Sequence, residues 1–219
     1  SDHYLSQVLT KAFALRSFNS NEQKTILRLT GYISSDHYHA QLLSKGLEEN
    51  NFLPAATNQV IKSLEGINSD HYYTQVVRDL KNKQLGDENL KRLLSQMGLQ
   101  VSSDHYLAQS LSYLIQYQKF SDAVFKEFIH TTRSINSDHY TQQVVSSIAK
   151  EQQPSVQNLV LFLQSLRAQV ASDHYLAQCL SDLAPLVKAA GPTAREAYLQ
   201  ATKSIQSDSY LGKATRSLR

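Results

Sequence analysis

Apolar residues recur along the whole chain at helical spacing, in paired stretches separated by short polar gaps. Tyr4, Val8, Leu9 and Ala12 form one such stripe, Tyr106, Leu107, Leu111 and Leu114 another, and Tyr175, Leu176, Leu180 and Leu183 a third. Positions three and four apart lie on one side of an α-helix, so each stripe is a single adhesive face. A second stripe follows each of these, as in Leu90, Leu93, Leu94 and Met97, or Val124, Phe125, Phe128 and Ile129. The pattern predicts helix, short loop, helix, repeated.

The tetrapeptide Ser-Asp-His-Tyr marks the period. It begins at residues 1, 35, 69, 103, 137 and 172, and Ser-Asp-Ser-Tyr begins at 207. Repeats are therefore read at 1–34, 35–68, 69–102, 103–136, 137–171 and 172–206, with a terminal unit at 207–219. The rest of each repeat diverges, as in a natural array. A hairpin of two amphipathic helices cannot cover its own apolar faces, so successive hairpins must stack around one continuous core. The expected fold is all-α: a single domain spanning 1–219, six two-helix repeats in a right-handed α-solenoid of HEAT-like or TPR-like build, closed by a C-terminal capping helix.

Local signals give the helix ends. The motif Ser or Asp is an N-cap, its side-chain oxygen accepting a first-turn N–H, and the two registers are equally compatible with the sequence. Ser20-Asn21-Glu22-Gln23 and Thr193-Ala194-Arg195-Glu196 read as capping boxes, and Asp87 and Ser121 as caps. Pro54, Pro154 and Pro192 fall where a first-turn proline is tolerated, whereas Pro185 should end or kink its helix. Two residues before each motif Ser stands a β-branched aliphatic: Ile33, Ile67, Val101, Ile135, Val170 and Ile205. These are expected to plug the turn between repeats.

Composition narrows the function classes. The net charge is +3, from 22 basic and 19 acidic residues, and the repeats carry +2, −2, +1, 0, 0 and 0, with +2 on the last unit. A solenoid that reads nucleic acid needs a continuous basic track, which this distribution lacks. The longest apolar run, Leu159 to Leu163, is far short of the roughly 20 residues that span a bilayer. No signal peptide opens the chain. Because Ser1 already begins a repeat, the chain reads as a piece cut at a repeat boundary. The lone Cys179 occupies the slot held by Val8, Leu42, Val76 and Val144, and is expected to be a small buried hydrophobe.

Catalytic residues, cofactors and metal ligands are not expected. Tandem Ser-Asp-His residues cannot face one another as a triad requires. The motif histidines, His3, His37, His71, His105, His139 and His174, lie one per repeat, and neighbouring helix axes are about 8–10 Å apart. A zinc ion needs its ligands at about 2.0–2.3 Å. His39, two residues after His37, points elsewhere on the helix.

The expected role of the motif is structural. Ser1, with Asp2, Asp36, Asp70, Asp104, Asp138, Asp173 and Asp208, and Tyr4, Tyr38, Tyr72, Tyr106, Tyr140, Tyr175 and Tyr210, marks the repeat junctions. A polar ladder is predicted there, with the Tyr rings in the core and their hydroxyls or the His nitrogens bonding neighbouring caps. Gln7, Gln41, Gln75, Gln109, Gln143 and Gln178 recur one turn later, Lys213 standing in the last unit. They form hydrogen bonds to a turn or adjacent helix, or line a binding row. A pH response of the histidines is a further reading.

The period of 34 residues suggests tetratricopeptide repeats, whose Trp/Gly/Tyr pattern is absent, and the 35-residue period of pentatricopeptide RNA readers is opposed by the charge. The segments Ile33 to Tyr38 with Leu43, and Ile135 to Tyr140, resemble the Ile-x-Ser-Asp-x-Tyr-x-x-x-x-Leu units attached to bacterial membrane metallopeptidases of the BlaR/MecR sort. That resemblance implies an envelope-facing, partner-sensing array, periplasmic or in the cell envelope, while the residues themselves leave a cytoplasmic location open. It carries over no catalytic residue, because the His-Glu-x-x-His signature is missing. The leading expectation is a scaffold for a protein or peptide partner, with the sensing segment of such an envelope protein as the alternative and nucleic-acid binding behind both.

Overall fold

The computed structural model describes residues 1–15, 18–48 and 54–219. The within-repeat connections at 16–17 and 49–53 lie outside the described residues. Among the described residues every regular element is helical, as the periodicity predicts. The chain groups into two compact units, Ser1–Gln118 and Lys119–Arg219.

In the first unit the helices are α1 (Asp2–Leu15), α2 (Ser20–Leu29), α3 (Asp36–Glu48), α4 (Pro54–Ser63), α5 (Asp70–Asp79), α6 (Gly86–Gln100) and α7 (Asp104–Tyr117). First helices pack on first helices, α1 on α3, α3 on α5 and α5 on α7, while second helices pack on second, α2 on α4 and α4 on α6. The second unit contains α8 (Asp122–Thr132), α9 (Asp138–Glu151), α10 (Val156–Gln169), α11 (Asp173–Ala190), α12 (Pro192–Thr202) and α13 (Asp208–Ser217). Here α9 packs on α11 and α11 on α13, with α8 on α10 and α10 on α12. Each unit is thus a two-layer, solenoid-like stack.

The core is the set of faces that the spacing picked out. Leu107, Leu111 and Leu114, Leu90 through Met97, and Val124 through Ile129 at the stated positions are all buried, as are the six plugs from Ile33 to Ile205. Cys179 is fully buried, as expected, and that burial pushes its thiol pKa upward, away from the thiolate form. Tyr4 and Val8 depart from the expectation, being 69% and 63% exposed. The residues equivalent to Val8, Leu42 and Val76, are buried because a preceding first helix packs on that side; no described helix does so for α1.

Several helix ends differ from the sequence reading. The capping box of α2 exists but starts one residue earlier: Asn19 accepts from Asn21 and Glu22, and Glu22 returns to the Asn19 N–H at 2.9 Å. Ser121 caps α8 as expected. Thr193 caps nothing, because α12 begins at Pro192 behind Gly191, whose φ of +91° makes the turn directly from α11. Asp87 lies inside the first turn of α6. Pro54 and Pro192 open their helices, whereas Pro154 stands before the cap Ser155. Pro185 does not end α11, which runs for 18 residues. Proline forfeits only one backbone bond there, and Leu183, Ala184 and Val187 remain buried on either side of it.

Candidate binding face on the first helices

The motif Ser is the residue that precedes each first helix, with Asp at the first helical position. Ser69, Ser103, Ser172 and Ser207 have extended backbones and make no side-chain cap bond. The predicted cap chemistry is therefore corrected: Ser contributes its carbonyl, which accepts the first intrahelical bond.

Asp does the joining. Asp2 accepts the backbone N–H groups of Ser34 and Ser35 at 2.9 and 2.7 Å. Asp36 accepts those of Asn68 and Ser69 at 3.1 and 2.7 Å. Asp70 holds Ser102 and Ser103, Asp138 holds Ala171 and Ser172, and Asp173 holds Gln206 and Ser207. Each carboxylate sits at the positive end of its own helix and clasps the two amides that enter the next one, so one charge serves two helix N-termini.

The tyrosines and histidines are elsewhere. All six motif histidines are exposed, and Tyr38, Tyr72, Tyr106, Tyr140, Tyr175 and Tyr210 are half-buried. The expectation of Tyr rings in the core, with hydroxyls or His nitrogens bonding caps, is overturned. The first helical turn turns these two side chains outward, and the Asp beside them takes the cap amides. Instead the rings alternate edge to face. His3 meets Tyr4 and Tyr38 at 5.5 and 5.4 Å, and His37 meets Tyr38 and Tyr72 at 5.0 and 5.4 Å. His71 bridges Tyr72 and Tyr106 likewise, and in the second unit His139 bridges Tyr140 and Tyr175, and His174 bridges Tyr175 and Tyr210. Such quadrupole-favoured pairs make a continuous aromatic stripe within each unit. Among the described residues no three His, Cys, Asp or Glu side chains converge on a metal position.

The glutamine row lies one turn along from the histidines, on the same face. Gln7 and Gln41 are exposed, and Gln75 reaches Ser44 at 3.4 Å. With His3, Lys11, His37 and Lys45 they line a groove of about 580 Å³. In the second unit the row is occupied: Gln143 bonds His139 at 2.9 Å, and Gln178 donates to Asp182 while accepting from Lys213. Asp182 also accepts from Gln142 and Ser146, at 2.9 and 2.6 Å. A groove of about 700 Å³ on the second helices, lined by Lys126, His130, Arg133 and Leu161, has a smaller counterpart of about 420 Å³ one repeat on, lined by Val160, Gln164, Arg167 and Glu196.

Two polar arrangements have weaker sequence signals. Gln118 receives the Leu85 N–H and donates to the Lys83 carbonyl, and Gln152 receives the Phe120 N–H. Gln118 and Gln152 share one register, and that recurrence was the available clue. The second arrangement is a buried chain from His39 through Ser63 to Thr30. Thr30 donates to the Leu27 carbonyl at 2.8 Å, so the 2.7 Å contact with Ser63 requires Ser63 to donate to Thr30. The 3.0 Å contact between Ser63 and His39 Nε2 then requires His39 to donate. Its Nδ1 is the unprotonated nitrogen and is buried without a hydrogen-bond partner. A Cβ at Gly66 would stand 3.2 Å from the ring, which is why glycine fits there.

Burial lowers the pKa of His39, against a weaker upward pull from Asp36. The unfolded chain, titrating near 6.5, therefore binds more protons than the folded one as pH falls. Stability from this site is fully present above that value and is lost as pH falls through it. A wild-type melting temperature that drops between pH 7 and 5, with a smaller drop in His39→Gln, is the expected result. An identical pH profile in the two proteins would refute it.

No described helix is long and apolar enough to cross a membrane. The comparisons add no relative: no protein-family model matches the chain, and no curated protein or solved structure resembles it significantly.

Proposed function

We propose that this chain is a non-catalytic scaffold that binds a protein or peptide through the exposed face of its first helices. The observation that supports the reading is the division of labour within the motif. Asp clasps the repeats together, while the motif His is exposed on each of the six repeats beside a tyrosine that is half-buried after the first, and Gln7 and Gln41 are exposed one turn later. Side chains that recur yet face solvent are not needed for packing, and a stack of equivalent positions forms an extended recognition surface.

The test is selection of binders from a displayed random-peptide library, followed by affinity measurement against the double variant His37→Ala, Gln41→Ala. Both residues are exposed, but His37 also bridges Tyr38 and Tyr72, so the variant should melt slightly below the wild type and remain folded, while its affinity falls at least about tenfold, a loss of about 1.4 kcal/mol. Binders that ignore the double substitution would place recognition elsewhere. A second reading, favoured by the Ile-x-Ser-Asp-x-Tyr pattern, makes the array the sensing arm of a bacterial envelope metallopeptidase. Reading the parent gene upstream of Ser1 for a His-Glu-x-x-His motif and apolar segments of about 20 residues decides that point.

A further inference from the structure

We propose that the groove on the second helices of the second unit is a docking site for an acidic peptide segment that carries an apolar anchor. This second site is built from other helices than the first-helix face and does not depend on it. It lies between α8 and α10, which pack on one another. From α8 come Lys126, His130 and Arg133, four and then three residues apart, Arg133 continuing the last turn at the C-cap. Residues so spaced share one side of a helix. From α10 come Leu161, Gln164 and Ala168, at the same kind of spacing. Leu161 is 38% exposed, an apolar surface beside a basic row. Among the described residues no carboxylate lines the groove.

Charge selects the occupant. The net charge of +3 resides in the second unit, which has eleven basic and eight acidic residues against eleven of each in the first. Half of those eight acids are engaged. Asp138 and Asp173 clasp junctions, Asp182 accepts from Gln142, Ser146 and Gln178, and Asp122 accepts from Asn158 at 2.8 Å. On the second helices of the first unit Arg92 pairs with Glu65 and Lys91 with Glu88, whereas among the described residues no ion pair forms in the second unit. Arg133 donates through Nε to Ser165 at 3.2 Å, and Arg167, one repeat on, through Nε to Ser204 at 3.1 Å. Each bond holds a guanidinium in place. Its two terminal nitrogens have no acceptor among the described residues and can take a carboxylate in two parallel bonds. A helix C-terminus accounts for one cation in a last turn, but not for a row of three beside an exposed leucine. Glu196 shares the smaller groove with Arg167 and ends the basic row there. That row is too short to follow a phosphate backbone.

The experiment titrates the whole chain, by fluorescence anisotropy, with labelled peptides of three Glu-Glu-Leu-Glu, Glu-Glu-Ser-Glu or Lys-Lys-Leu-Lys units, and with a deoxythymidine oligomer of the same length. The Glu-Glu-Leu-Glu peptide should bind at least about tenfold tighter than the lysine peptide and about threefold tighter than the serine peptide, and more weakly as salt rises. The double variant Arg133→Gln, Arg167→Gln should weaken it about tenfold or more, because each guanidinium takes charge-assisted bonds with it. That variant also loses the bonds to Ser165 and Ser204. Lys126→Gln changes only an exposed side chain, so it should weaken the peptide about threefold at an unaltered melting temperature. The double variant His37→Ala, Gln41→Ala should leave this affinity unchanged. Equal binding of the lysine peptide would overturn the charge claim, equal binding of the serine peptide the apolar anchor, and tighter binding of the oligomer the peptide partner. Undiminished binding to both groove variants, or a loss in the first-helix variant, would overturn the location. If no acidic peptide binds while library-selected peptides still respond to the first-helix variant, this site fails and the first-helix face stands.

Discussion

Replacing Asp173 by Ala is expected to lower the stability of the protein by about 2–3 kcal/mol, and by Asn about half as much. Hydrogen bonds to a charged group are each worth about 1.5–3 kcal/mol, and Asp173 holds two amides, Gln206 at 3.0 Å and Ser207 at 2.8 Å. Gln206 is exposed and can turn to water, so the loss is close to that of the single bond to Ser207. Asn retains an acceptor oxygen but forfeits the charge that opposes the positive end of α13. For a chain of this size the Ala variant should melt roughly 5–10 °C lower. Hydrogen exchange at the Ser207 amide gives the local readout. If that amide stays as protected as in the wild type, the carboxylate does not clasp the junction.

An effect of similar or larger size is expected deeper in the same unit. Phe162 on α10 is 1% exposed and meets Phe125 edge-on at 5.8 Å and Phe128 at 5.7 Å. Phe162→Ala should cost about 3–5 kcal/mol, combining lost transfer free energy with the cavity left behind. The ring contacts contribute part of this, about 0.5–1.5 kcal/mol for each aromatic pair. Phe162→Leu, which preserves apolar volume better, should cost about 1–1.5 kcal/mol. Midpoints of urea unfolding measure both. A Phe162→Ala midpoint within error of the wild type would mean that α8 and α10 do not meet through this cluster.

These two results would separate the forces that the repeat combines. The aromatic cluster is specific to one place, since Phe125, Phe128 and Phe162 have no counterparts at every repeat. The carboxylate clasp recurs because the geometry at a repeat junction recurs. An amide pair entering a helix must be satisfied wherever two hairpins meet, and a carboxylate at the first position of the preceding first helix reaches it each time.

Helical character, the period, the buried stripes and the plugs from Ile33 to Ile205 were legible in the sequence, because apolar spacing reports directly which face a helix must hide. The same logic placed Cys179 in the core. It failed at Tyr4 and Val8, since spacing says which residues share a face and not whether a neighbour covers it. Capping was half legible. Asn19 was displaced by one residue from the predicted box, and Thr193 lost its role to the Gly191-Pro192 turn, because several polar residues near a helix start compete and backbone geometry selects among them.

The division within Ser-Asp-His-Tyr was decided only by tertiary structure. The sequence by itself determined that these four residues lie at a junction, since recurrence at a fixed period requires equivalent positions. Which of them points across the junction and which points to solvent depends on the rotation of each helix against its neighbour. That rotation follows from how the buried faces interdigitate. It aims Asp at the next repeat's amides, turns His and Tyr outward into a stripe, and buries His39 two residues beyond an exposed His37. Side chains of like chemistry are indistinguishable in a linear pattern, and only packing gives them different surroundings.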